Sequence, residues 1–163
     1  MDIALFQPDI PQNTGTILRM GACLDVAVHI IEPAGFPFSI KALRRSGMDY
    51  VDHVQIHRHA DWAAFEQWRQ AAGRRAILLT TKASRPYTDL IYRKDDILIC
   101  GQESKGAPQF VHQSCADRVL IPLQAKMRSL NVAIAASMVL GEALRQTDGF
   151  PALPDGAAGE HRL

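Results

Sequence analysis

The sequence predicts an α/β fold, a mostly parallel six-stranded sheet with helices on both faces. Two observations carry this. Six short apolar runs, at residues 3–6, 26–31, 50–56, 76–80, 97–100 and 119–123, have the length and composition of buried strands. Helical patterns alternate with most of them, and strand–helix alternation is the mark of a parallel sheet whose crossovers lie on its faces. A chain of 163 residues suffices for one domain that buries roughly two-thirds of its unfolded surface and needs no staples.

The elements follow in order. Ile3-Ala4-Leu5-Phe6 leads through a loop with two prolines into a helix over 14–24, with Ile17, Leu18 and Gly21 on one side. Asn13 or Thr14 is its expected cap. After the second strand, residues 40–46 set Leu43 against Lys41, Arg44 and Arg45, whose i, i+3, i+4 spacing makes one basic stripe. A helix over 61–72 places Trp62, Phe65 and Trp68 at helical spacing, a core-packing pattern. The longest helix is expected over 129–146. Residues 1–150 thus read as a single domain, and the Gly-, Pro- and Ala-rich text of 151–163 as a flexible tail.

Composition narrows the function. The net charge of +1 excludes a strongly basic polymer binder yet permits a local basic patch. Cys23, Cys100 and Cys115 are far apart and form no CxxC pair, so neither a disulfide framework nor a zinc cluster is expected, and a reducing cytoplasm fits. His57 and His59 lack the partners that complete a metal site, and no metal is expected. The start has no leader-like segment, and no apolar run reaches the roughly 18 residues of a membrane span. A cytoplasmic protein without membrane contact is the expectation.

Open α/β sheets bind ligands beyond the carboxyl ends of their strands. That rule selects residues 8–19, 80–85, 101–108 and 123–131. In the third segment Gly101 and Gly106 permit tight turns and close backbone approach to a ligand. Ala107-Pro108 stand where a P-loop needs Lys-Ser/Thr, so nucleoside triphosphate binding is rejected. Cys100, at the end of an apolar run, reads as a buried and inert thiol.

Taken together, Asn13-Thr14-Gly15 with Arg19, Gly101-x-Glu103-x-x-Gly106, and Ile121-Pro122 with Ser129-Leu130-Asn131 resemble the SpoU branch of the SPOUT RNA methyltransferases. The similarity runs from Ile3 to about Gln146. Ile31-Glu32-Pro33-x-Gly35-Phe36, Leu43-Arg44-Arg45-x-Gly47-x-Asp49-Tyr50 and Leu79-Thr80-Thr81-Lys82 are further similar to a compact group within it that methylates the 2′-hydroxyl of the wobble nucleotide, cytidine or uridine 34, in the tRNA anticodon loop. The resemblance implies a C-terminal trefoil knot, a homodimer, S-adenosylmethionine as cofactor and the tRNA anticodon stem-loop as partner. It implies a catalytic set of Arg19, Asn13, Glu103, Ser129 and Asn131. Cofactor contacts fall on Leu79, Gly101, Gly106, Ile121, Leu123, Ser129 and Leu130, and RNA contacts on Arg44, Arg45 and Arg128. Methylation of another tRNA or rRNA ribose, or a catalytically silent RNA-binding module, stay open as alternatives.

Some chemistry follows from that resemblance. A guanidinium with a pKa above ~12 is a poor base near neutral pH, so Arg19 is expected to orient the hydroxyl or a phosphate, with Asn13 fixing it. Many relatives carry a serine where this chain has Ala133, which predicts one hydroxyl fewer beside the cofactor.

Overall fold

The computed structural model describes residues 1–41 and 49–153. Arg44, Arg45, the remainder of the helix expected over 40–46 and most of the expected tail lie outside that range. The chain forms a fully parallel sheet of seven strands: β1 (Asp2–Phe6), β2 (Ala27–Ile31), β3 (Ile56–His59), β4 (Ala76–Leu79), β5 (Arg85–Pro86), β6 (Ile97–Cys100) and β7 (Asp117–Leu120). Their spatial order is β3-β2-β1-β6-β4-β7-β5. Among the described residues four complete helices accompany them: α1 (Pro11–Leu24), α2 (Trp62–Ala71), α3 (Gln109–Ser114) and α4 (Val132–Thr147).

Helices on both faces are observed, and the alternation of β1 explains how. Ile3 and Leu5 join one core with Ile17 and Leu18 of α1 and Val139 and Leu140 of α4. Ala4 and Phe6 join the other with Phe65 of α2 and Val111 of α3. Because β1 is covered on both sides, its five residues are all buried, and Ile3–Phe6 read as one continuous apolar run. Each large aliphatic side chain removed from water in this way stabilises the fold by about 1.5–3 kcal/mol.

Three expectations need correction. The strand expected at 50–56 is a 3₁₀ turn at Asp49–Asp52 followed by β3 at Ile56–His59. Val51 and Val54 are buried, but in the approach to the strand, and the strand itself holds His57, Arg58 and His59, a sequence too polar to draw a hydrophobic scan. The sheet has seven strands instead of six, because the two-residue β5 pairs with β7 at the edge. Its Pro86 is tolerated there because an edge strand has one side free of ladder bonds. The last strand ends at Leu120, leaving Ile121–Leu123 in the loop that follows.

Helix starts shift for identifiable reasons. Pro11 opens α1, with its fixed φ suited to a first turn, and Ile10 is the residue before it. Asn13 and Thr14 therefore sit inside the first turn and do not cap it. α4 begins at Val132, where the Asn131 side chain accepts hydrogen bonds from Ala133 N (2.9 Å) and Ile134 N (3.3 Å). α2 is capped in the same way by Asp61, which accepts from Ala64 N at 2.8 Å. No helix among the described residues is long and apolar enough to cross a membrane.

Candidate active site

All seven strands run the same way, so their carboxyl ends open onto one edge of the sheet. A pocket of about 540 Å³ lies there. Each of the four segments selected from sequence contributes to it: Asn13 from α1, Thr80–Lys82 after β4, Gly101–Ala107 after β6 and Leu123 with Arg128–Asn131 after β7. The volume falls within the range of small-ligand sites.

Its middle wall is the loop after β6. Gln102 and Gly106 exchange backbone hydrogen bonds of 3.2 and 2.7 Å, which folds the loop back on itself with Glu103 near its tip. Gly106 turns the chain at φ +70°, a conformation that disfavours L side chains. A Cβ on Gly101 would lie 2.6 Å from the Ala107 nitrogen. Glycine there is what lets the two limbs of the loop close while keeping backbone bare toward the pocket.

Glu103 is the junction of a polar chain that crosses three elements. Asn131 Nδ2 donates to Asn13 Oδ1 at 2.9 Å, and Asn13 Nδ2 donates to Glu103 Oε1 at 3.2 Å. Glu103 Oε2 accepts from Asp9 N at 3.0 Å. The Asp9 carboxylate in turn accepts from Glu103 N at 3.2 Å, Ser104 N at 3.3 Å and the Ser104 hydroxyl. Burial raises the pKa of Glu103, and the neighbouring Asp9 carboxyl pushes it the same way. Asp9 moves down through its hydrogen bond with Glu103, which outweighs its own desolvation. The two carboxyls are thus pushed in opposite directions, and Glu103 is the one that takes up a proton more readily.

The structure brings together most of the residues singled out from sequence. Asn13, Glu103, Ser129 and Asn131 line one pocket with Leu79, Gly101, Gly106, Ile121, Leu123 and Leu130, and Arg128 stands at the same wall. Arg19 does not join them. It lies six residues beyond Asn13, about 240° around the helix. There it is exposed, with its guanidinium 5.1 Å from the centre of the Tyr50 ring. The expectation that Asn13 fixes Arg19 is replaced by a different pairing: Asn13 holds Glu103 and Asn131.

Ala133 is buried in the core shared by α1 and α4, while its neighbours Val132 and Ala135 line the pocket. The missing hydroxyl at 133 is thus absent from the core side of the helix and leaves the pocket wall unchanged. Cys100 borders the pocket, but full burial pushes its thiol up to about 12, so a reactive thiolate is not available near neutral pH. Among the described residues no group of three His, Cys, Asp or Glu side chains is placed to hold a metal ion.

Several pocket residues escaped the sequence reading. Asp9, which clamps the Glu103 loop without lining the cavity, carried a weak signal in its place beside Pro8 and Pro11. Ile10 and His112 also line the pocket. His112 lies on the six-residue helix α3, too short to announce itself by periodicity.

Known proteins resemble this chain in sequence and fold. A tRNA (cytidine(34)-2′-O)-methyltransferase of Beijerinckia indica subsp. indica is 58% identical over 153 residues, 94% of this chain and 96% of the relative. A solved structure bearing on 2-OH methylation of C/U34 on tRNA superposes with a TM-score of 0.82 at 35% identity, covering 89% of this chain and 94% of that one. A second, an AdoMet-bound rRNA methyltransferase from Sinorhizobium meliloti, gives 0.78 at 29% identity over 88% of this chain and 55% of that one. The profile of the SpoU rRNA methylase family matches residues 1–141, and the chain belongs to that family.

Proposed function

We propose that this protein transfers a methyl group from S-adenosylmethionine to the ribose 2′-hydroxyl of nucleotide 34, cytidine or uridine, in the tRNA anticodon loop. The observation that carries the reading is the convergence of three strand-end loops and the first turn of α1 on one pocket, with Asn13, Glu103 and Asn131 joined in a single chain beside it. The 58% identical relative named for this reaction supports the same choice of substrate.

The residues fit the cofactor. The pocket is large enough, bare backbone at Gly101 and Gly106 allows close approach, and Leu79, Ile121, Leu123 and Leu130 offer apolar walls to a flat base. When bound, S-adenosylmethionine supplies a methyl on a positively charged sulfur. The protein's own work is positional. An in-line displacement needs the attacking oxygen held on the axis of the breaking bond, and alignment of this kind supplies much of a barrier's reduction. Asn131 fixes the entry to α4, Ser129 lines the pocket just before it, Glu103 ties the loop after β6 to α1, and the hydroxyl is seated between them. Lys82, Lys105 and Arg128 ring the pocket with positive charge suited to phosphates, and Arg44 and Arg45 are further RNA contacts in this reading.

Arg19 enters through assembly. We read the protein as a cytoplasmic homodimer built on a SPOUT-type domain of residues 1–150 with a C-terminal trefoil knot and a tail at 151–163. Ile134 and Met138 lie one turn apart and exposed on α4, and Leu130 adds apolar surface nearby in the chain. In the dimer Arg19 of one copy reaches the pocket of the other, where its guanidinium stabilises charge growing on the ribose oxygen.

Incubation of unmodified tRNA with isotopically labelled S-adenosylmethionine, followed by digestion and mass spectrometry, tests the reaction. Label on the ribose of nucleotide 34 is expected, and label at any other position or on a base overturns the assignment. Mixing inactive Arg19→Ala protein with inactive Asn13→Ala protein tests the shared site. Heterodimers with one intact site should recover part of the activity, and no recovery removes Arg19 from the partner's pocket.

A further inference from the structure

Tyr50 closes the stretch that begins at Leu43 and has no part in the chemistry above. It belongs to the 3₁₀ turn at Asp49–Asp52, where His53 N donates to Tyr50 O at 3.0 Å. That turn is fixed to α1. Val51 and Val54 are buried, and Val54 joins the core with Ile17 and Leu18 of the helix. A Cβ on Gly21 would come within 3.0 Å of the Val54 side chain, so glycine there lets the segment lie directly on α1. The same helix carries Arg19, whose guanidinium stands over the Tyr50 ring, 5.1 Å from its centre. That separation is within reach of a cation–π attraction.

Arg19 is held differently from other arginines of the chain. Arg58 also stands over a ring, that of Phe38, yet it binds the Glu32 carboxylate as well. Arg75 and Arg145 grip Asp96 and Glu142. Among the described residues no carboxylate pairs with Arg19. The difference matters for a cation that must meet an anion. A carboxylate neutralises a guanidinium and occupies its N–H fork. An aromatic face attracts the cation through its quadrupole and leaves the N–H donors and the charge to another group. The ring also narrows the freedom of a long side chain, whose ordering otherwise opposes its use.

We propose that Tyr50 is a positioning residue for Arg19: its ring holds the guanidinium ready, with the charge unneutralised, for the ribose oxygen in the other copy's pocket. This rests on the reading in which Arg19 acts across the dimer, and neither residue lines the pocket of its own copy. Tyr50→Leu removes the quadrupole and keeps apolar bulk, whereas Tyr50→Phe keeps the aromatic face. Turnover of tRNA methylation at saturating substrates should fall about threefold to tenfold in the leucine variant, the scale of a cation–π contact, and stay within about twofold in the phenylalanine variant. The KM for S-adenosylmethionine should move less than about twofold, because the donor pocket is untouched. Nuclear relaxation of the Arg19 Nε–H group should give a lower order parameter in Tyr50→Leu and an unchanged one in Tyr50→Phe.

Mixed dimers assign the effect to one copy. In a mixture of Asn13→Ala and Arg19→Ala chains, Tyr50→Leu should lower the recovered activity when added to the Asn13→Ala chain, which supplies Arg19. Added to the Arg19→Ala chain, which supplies the pocket, it should not. Unchanged turnover or an unchanged Arg19 order parameter in Tyr50→Leu overturns the proposal. So does a loss that follows the pocket-supplying chain, or a phenylalanine variant as impaired as the leucine one. If mixtures of Asn13→Ala and Arg19→Ala chains recover nothing, the cross-dimer reading fails on its own, while the order parameter still decides whether Tyr50 holds Arg19.

Discussion

Two polar chains run through this molecule, and they have opposite fates. One links Asn131, Asn13, Glu103 and Asp9 beside an open pocket. The other links His59, His29, Asp2 and Arg74: His29 Nδ1 lies 2.9 Å from His59 Nε2, His29 Nε2 lies 3.2 Å from Asp2 Oδ2, and Arg74 binds the same carboxylate. His29 is wholly buried, stacked between His57 and His59 and edged by Phe65 and Trp68. Both chains cross several elements and both contain titratable groups. The first faces a cavity of about 540 Å³ that a ligand can enter. The second is closed in aromatic packing at His29 and His59, and only its Asp2 borders a smaller cavity of about 180 Å³. A network of hydrogen-bonded polar residues is therefore not a site by itself; it becomes one when its atoms face space large enough for a ligand.

Removing a link from each chain should expose that difference. Asn13→Ala leaves Glu103 and Asn131 without their shared partner in the reaction zone. Misplacement of about 1 Å can cost 10²-fold, so kcat/KM for tRNA methylation should fall by about that factor or more. The melting temperature should change little, because the vacated groups border water. An Asn13→Ala enzyme within a few-fold of the unmodified one would break the contrast. His29→Leu leaves the Asp2 carboxylate to Arg74 alone and strands the buried His59 imidazole, which should cost about 2–4 kcal/mol in denaturant unfolding. Activity per folded molecule should hold, since His29 is remote from the pocket lining. Loss of activity without loss of stability would make the sealed chain functional after all.

Acid should unfold the protein through the sealed chain. Burial lowers the pKa of His29, and that of His59 to about 4, against an unfolded value near 6.5. Asp2 is lowered too, since the hydrogen bonds from His29 and Arg74 outweigh its desolvation. In each case the unfolded state binds more protons across the interval, so stability rises with pH there. The histidine contribution is complete above about pH 6.5 and is lost as pH falls toward about 4, with Asp2 adding to the decline at lower pH. Chemical unfolding at a series of pH values should show this slope, and His29→Leu should flatten it. A slope untouched by that substitution would place the acid sensitivity elsewhere.

How the two chains are written in the sequence explains what was legible. The central strands are apolar runs because both of their faces are covered, so β1, β2, β4 and β6 stood out and β6 was placed at its observed bounds. The rule of carboxyl ends then found all four segments around the pocket. β3 and β5 were obscured because an edge strand need not be apolar, and β3 owes its buried residue to a histidine paired across the sheet. Asn13 was recognised as polar and near a helix start, but capping was the wrong job for it. Its real partners are 90 and 118 residues away, a separation no local spacing reports. Arg19 was legible as a residue of interest, while its direction depended on the turn of helix between it and Asn13.

Asn131 allows the finest division, because it serves the fold and the pocket with different atoms. Its Oδ1 accepts the amide hydrogens of Ala133 and Ile134, so its Nδ2 must be the group facing Asn13. That fixes the orientation of the Asn13 amide, whose Nδ2 is then the one turned to Glu103. The cap thus sets the direction of the whole chain. Asn131→Asp keeps an oxygen for the cap, and aspartate caps as well as asparagine, so stability should move by only about 0.5 kcal/mol. The donor toward Asn13 is lost. If Asn13 rotates to give its amide to the introduced carboxylate, its oxygen confronts Glu103, an arrangement satisfied only when Glu103 is protonated. The raised pKa of Glu103 makes that form more accessible than for an ordinary carboxyl. The variant should therefore be about tenfold less active near neutral pH, the scale of one charged hydrogen bond, and should regain ground relative to the unmodified enzyme as pH is lowered. A constant ratio of the two activities across pH would show that the direction of this chain is immaterial to the site.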